Sequence, residues 1–219
     1  MARYAAIYQE AQGRVRILVN NQNANLPVPT CPGWTVKDVV AHLTGVFDDF
    51  RRGNMENAAS NEWTAAQVES RKARSLADIG AEWHTLVHTY PAVFRHEYVG
   101  NLVTDLICHE FDIRGAIGNR EARYLLDIRT SAIYFLNGVD HALRQENLPA
   151  LRIQVEDKAL TVGEGEPEGT VTLSWFELFR TVSGRRSRSQ VEALPWEGDS
   201  WIWLDHLFIL GPAESDIVE

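Results

Sequence analysis

The sequence predicts an α+β fold, with an up-down helical bundle over residues 1–148 and a small α/β domain over residues 149–219. Three observations predict it. Apolar residues recur at helical spacing through the first two thirds of the chain. Pro27, Pro29, Pro32 and Pro91 fall between those periodic stretches. After Pro149 the pattern changes to short alternating runs around turn residues, which is a strand signature.

The elements follow in order. A first helix runs from about Arg3 to Asn20, with Ala5, Ile7, Tyr8, Ala11, Val15 and Leu18 on one face. The stretch NANLPVPTCPGW, with three prolines and a glycine, breaks it. Thr35 is a good N-cap for a second helix, and Asp38 stands where a capping-box Glu or Gln is usual. Val36, Val39, Val40, Leu43, Val46 and Phe50 form the apolar stripe of that helix. Residues 53–74 are polar and read as a loop with room for one short helix. A third helix spans about Leu76 to Tyr90 and stops at Pro91, and a fourth spans about Glu97 to Ile117 and ends at Gly118, a C′ glycine. A fifth covers about Asp127 to Glu146. Beyond it, LRIQVEDKALTVGEGEPEGTVTLS reads as strands and WFELFRTVSG as a helix ending at Gly184. The last stretch holds Trp196, Trp201 and Trp203 without a clear period.

Composition bounds the function. The chain has 219 residues, 45% hydrophobic and 23% charged, enough for one large or two small cores. A formal net charge of -9 argues against a sequence-independent nucleic-acid binder and against docking on anionic lipid. No run approaches the roughly 18 apolar residues of a membrane span, and charges interrupt the N-terminal segment where a signal peptide is apolar. Cys31 and Cys108 are the two cysteines, so a disulfide framework is not expected and a reducing cytoplasm fits best. A monomer or weak homodimer is expected.

Three residues carry the chemistry. Asp105 and His109 form D-x-x-x-H on the fourth helix, about 40° apart on one face, so both reach one ion from consecutive turns. Tyr98, Asn101 and Asp112 share that strip, while Leu102, Leu106 and Ile113 beside it are apolar. A polar patch on a buried face is costly unless paired or ligated. His42 lies at the edge of the second helix's stripe and can look into the bundle from its rim. Two imidazoles and a carboxylate leave an open position, as catalytic sites do, and suit zinc, though also iron, nickel or manganese. Spacing alone leaves the bland reading open: D-x-x-x-H is also an ordinary helical hydrogen bond, and a lone histidine is usually packing. His84 and His88, near Glu82, form a weaker rival pair, and His96, His141 and His206 read as structural or solvated. The H-x-D/E spacing of non-haem iron oxygenases does not occur with these residues. Cys31 reads as buried packing, because no histidine or basic residue stands close to it in sequence. Arg180, Arg185, Arg186 and Arg188 make a basic cluster suited to an anionic substrate, or else a solvated loop.

The segments VPTCPGWTVKDVVAHLTG, HEFDIRGAIG and WFELFRTVSGRRSRSQVEALPWEGD, in this order over most of the chain, resemble the mycothiol-dependent maleylpyruvate isomerase family. The resemblance implies a DinB-like bundle with a small C-terminal domain. It implies a divalent metal, typically zinc, on His42, Asp105 and His109, with Asp105 standing where the family has Glu. It implies an active-site arginine from the C-terminal domain, Arg185 as best match and Arg186 next, and mycothiol as the thiol cosubstrate. Asp112 is then a candidate to orient His109. The function implied is a metal-dependent, thiol-using isomerase or S-transferase acting on a small electrophilic substrate that bears carboxylates. A free thiol with pKa about 8.5 holds little thiolate at neutral pH, and coordination deprotonates it. A zinc-dependent hydrolase using metal-bound water, or a non-catalytic binding module, are the alternatives.

Overall fold

Residues 2–156 and 158–219 are described in the structure, a computed structural model of the chain. The α+β fold is observed: a helical bundle precedes a small sheet with short helices. By packing, the chain forms two compact units, residues 1–120 with Glu219, and residues 121–218. The change from helix to strand at about residue 148 falls inside the second unit, because the preceding helix packs against the C-terminal elements. No helix among the described residues is long and apolar enough to cross a membrane.

The first unit holds α1 (Ala2–Leu18), α2 (Val36–Arg52), α3 (Asn61–Glu69), α4 (Leu76–Thr89) and α5 (Val99–Ala116). In α1, Tyr8, Ala11 and Val15 are fully buried, at the helical spacing that the sequence shows. α1 packs on α5, and α2 packs on α3, α4 and α5. The Tyr8 ring meets Phe47 and Phe94, and its hydroxyl accepts a 3.0 Å bond from Trp83 Nε1. Burial pushes the Tyr8 phenol well above the usual range, so it stays a neutral partner. Glu110 of α5 is fully buried and lies between two guanidinium groups, at 2.8 Å from Arg14 Nη2 and 2.9 Å from Arg114 Nη2.

The capping box forms with Asp38: Thr35 Oγ1 accepts from Asp38 N–H, and Asp38 Oδ2 accepts from Thr35 N–H. It starts α2 directly after the proline-rich turn. Residues 53–74 hold α3, capped by Ser60. A 3-10 turn, Pro91–Arg95, precedes α5.

In the second unit, α6 (Leu126–Gln145) leads into β1 (Pro149–Val155), β2 (Lys158–Val162) and β3 (Glu164–Leu173), then α7 (Trp175–Val182), α8 (Arg188–Glu192) and β4 (Trp196–Glu197). The strand order is β2-β1-β3-β4, with β1 antiparallel to β2 and parallel to β3. Gly163 joins β2 to β3 at φ 88°, where a Cβ would stand 3.0 Å from the Ala150 backbone. The tryptophan-rich end is ordered by Trp203, whose Nε1 donates to Pro149 O at 2.7 Å and whose ring stacks on Trp196.

Candidate metal centre

Three elements of the first unit build the site: the turn before α2, then α2 itself, and α5. The turn is tied by its own backbone. Cys31 N–H donates to Val28 O and Trp34 N–H to Cys31 O, both at 3.0 Å, and Gly33 takes φ 82°, which favours glycine. Trp34 is thereby set against both histidine rings, 5.1 Å from His42 and 6.3 Å from His109 between centroids.

The structure brings His42, Asp105 and His109 together. His42 is 3% exposed and His109 6%, while the Asp105 side chain is one-third exposed. Their ligand atoms all lie within 4.8 Å of one another. Asp105 Oδ2 stands 3.6 Å from His42 Nε2, and Asp105 Oδ1 stands 3.5 Å from His109 Nε2. These are too long for hydrogen bonds. They are close to the edge of a coordination tetrahedron, since bonds of about 2.0–2.1 Å place two ligand atoms roughly 3.3–3.4 Å apart. The shorter Asp105 therefore reaches both histidines without a glutamate's extra methylene.

The tautomers of both rings follow from their outer partners. Gln67 Nε2 donates to Asp49 Oδ2 at 2.7 Å; a carboxylate accepts only, so Gln67 Oε1 is the atom turned to His42. His42 Nδ1–H then donates to it at 2.7 Å, and Nε2 carries the lone pair. His109 Nδ1 is 2.9 Å from Asp112 Oδ2, again an acceptor, so its Nε2 also carries the lone pair. With both rings neutral, this arrangement turns two imidazole lone pairs and a carboxylate toward one another. That donor set fits a divalent cation, and the relays that fix it are the outer contacts such sites use.

Sequence reasoning missed two members. Gln67 comes from α3, in the stretch read mainly as loop, and a glutamine in a polar segment carries no signal that a distant imidazole needs an acceptor. Cys31 is corrected: it is half-buried, not buried packing, and it stands 3.8 Å from His109 Nδ1 and 3.5 Å from Asp112 Oδ2. Its histidine neighbour is 78 residues away in sequence, so proximity along the chain was the wrong test.

Other readings resolve as follows. Asp112 is fully buried. The polar strip of α5 is buried only at its C-terminal end, since Tyr98 and Asn101 are exposed. His84 and His88 sit at the surface with rings 4.0 Å apart, and His84 Nδ1 takes a 2.9 Å bond from Arg16. Among the described residues no carboxylate joins them in a ligand set. Arg185 and Arg186 belong to the second unit. Arg186 binds Glu177 through two bonds, at 2.7 and 2.8 Å, and Arg185 Nη1 donates to Ser183 O at 2.6 Å. Arg180 is fully buried and Arg188 pairs with Asp205, so the four arginines are not one solvated loop.

A family model described as the mycothiol maleylpyruvate isomerase N-terminal domain matches residues 5–114, which include all three candidate ligands. Two solved structures are similar to the chain: mycothiol-dependent maleylpyruvate isomerase, and a histidine-to-alanine mutant of it. Each superposes with a TM-score of 0.58 at 12% identity, covering 90% of this chain and 92% of the other. At that identity the likeness is one of fold. No curated protein sequence matches the chain.

Proposed function

Because the chain belongs to the mycothiol maleylpyruvate isomerase N-terminal domain family, we propose that it is a divalent-metal enzyme that uses mycothiol on a small electrophilic substrate, as an isomerase or S-transferase. The observation that carries this reading is the convergence of His42 Nε2, His109 Nε2 and the Asp105 carboxylate, with both Nδ1 protons held elsewhere. Zinc suits two imidazoles and a carboxylate, and when bound it supplies the positive charge that lowers the pKa of an incoming thiol.

The chain's own residues do the rest. Gln67 and Asp112 hold a proton at each Nδ1 and so present both Nε2 lone pairs inward. Asp105 offsets cationic charge and, being the most exposed of the three, marks the side from which small molecules enter. The Trp34 indole covers the two rings from one side and keeps water from them. Resemblance to the family supports Arg185, with Arg186 next, as the arginine that recognises a substrate carboxylate. In the isomerase form the thiolate sulfur adds to one carbon of a conjugated double bond. Rotation about the resulting single bond and expulsion of the sulfur return the thiol and the isomerised substrate. In the transferase form the sulfur stays attached.

Metal analysis of the purified full-length chain tests the site, with one equivalent expected in wild type and loss in His42→Ala. Maleylpyruvate with and without mycothiol tests the chemistry. Turnover only with thiol is expected, whereas turnover without any thiol would favour a hydrolase and overturn the thiol reading.

A further inference from the structure

His109 has a second face. Its Nδ1 lies in a triangle with Cys31 Sγ and Asp112 Oδ2, separate from the Nε2 face that meets His42 and Asp105. The sides are 2.9 Å from Nδ1 to Oδ2, 3.5 Å from Sγ to Oδ2 and 3.8 Å from Sγ to Nδ1. Bonds of zinc length, about 2.0–2.3 Å to nitrogen, oxygen and sulfur, give tetrahedral edges of roughly 3.3–3.6 Å; the two sulfur sides lie near that range, and the Nδ1–Oδ2 side, now a hydrogen bond, opens when its proton leaves. Asp112 is fully buried and Cys31 half-buried, so the sulfur is the exposed corner through which an ion enters. The turn's backbone bonds at Val28 and Trp34 hold that sulfur in place.

We propose that Cys31, His109 Nδ1 and Asp112 form a second cation site, selective for thiophilic divalent ions such as cadmium. The donor set is softer than the first, because it contains a thiolate. Thiolate and carboxylate balance the two positive charges of the ion. Binding is a substitution without redox change: Cys31 gives its S–H proton to solvent, and the His109 proton moves from Nδ1 to Nε2. A neutral imidazole has one lone pair, so His109 serves one face at a time and the two sites exclude each other. Thiophilic ions thus disarm the first site by placing the His109 proton on Nε2, the nitrogen that site needs.

Cadmium titration of the full-length protein, stripped by chelator, tests this. An ultraviolet sulfur-to-cadmium charge-transfer band should saturate at one equivalent, vanish in Cys31→Ser and persist in Cys108→Ser. Cys31→Ala serves as a second variant, with thermal melts verifying that each is folded. In zinc-loaded protein the band should rise only as zinc is released to a zinc-sensitive dye. A wild-type protein without the band, or a band that survives in Cys31→Ser and Cys31→Ala, would overturn the site. A band that saturates while zinc is fully retained would overturn the exclusion.

Discussion

Replacing Gln67 by leucine removes the acceptor of His42 Nδ1–H while leaving every candidate ligand in place. Leucine has similar bulk but can neither accept from His42 nor donate to Asp49, so two bonds of 2.7 Å are lost together. His42 is 3% exposed and Gln67 4%, so water does not readily substitute. A buried group left without its partner costs about 1–3 kcal/mol. With about 1.4 kcal/mol per tenfold, zinc affinity should fall roughly 10–100-fold, the range seen when an outer partner of a metal-bound histidine is removed. Competition against a chromophoric chelator measures it, and a thermal melt reports separately on stability. An affinity within twofold of wild type, alongside clear loss in His42→Ala, would refute the relay.

Asp105→Asn should weaken zinc binding at least tenfold, because the amide keeps the shape but removes the charge, whereas Asp105→Glu should stay within about tenfold of wild type; calorimetry distinguishes the two. Gly45→Ala places a Cβ 2.4 Å from Gln67 Cβ, so α3 must shift; denaturant unfolding should show about 1–3 kcal/mol of destabilisation, and zinc affinity should fall with it. Burial would raise the Glu177 carboxyl, but its bonds to Arg186 and the charges of Arg186, Arg123 and Arg180 outweigh that and hold it below its ordinary value. The native state therefore gains stability from Glu177 above its unfolded pKa of about 4.3, and loses it as pH falls through the lower folded value. Glu177→Gln should flatten that acid limb in urea melts taken between about pH 5 and pH 3.

Much of the fold was legible because its signals are local. Thr35 and Asp38 cap α2 within four residues of each other, Gly118 follows the end of α5, and the apolar stripes of α1 and α2 are the faces that become buried. Less legible was what depends on long-range contact. α8 sits in a polar stretch with a capping box of Ser187 and Gln190 but little apolar periodicity, so nothing in the pattern required it. The packing of α6 with the C-terminal elements reflects which faces meet, and that is invisible to a reading based on helix giving way to strand.

The candidate site divides the same way. By itself the sequence determined that Asp105 and His109 share a helix face, because helical geometry is fixed by spacing, and it offered His42 at the rim of the second helix, which the resemblance to a family then supported. Only the tertiary structure decided that the His42 and His109 Nε2 atoms point at the same carboxylate, since that depends on the packing of α2 against α5. It also supplied Gln67 as the partner of His42 and brought Cys31 to the far side of His109. Lone-pair direction is set by a ring's hydrogen-bond partners: Asp112 lies three residues from His109 on the same helix, whereas Gln67 lies 25 residues from His42.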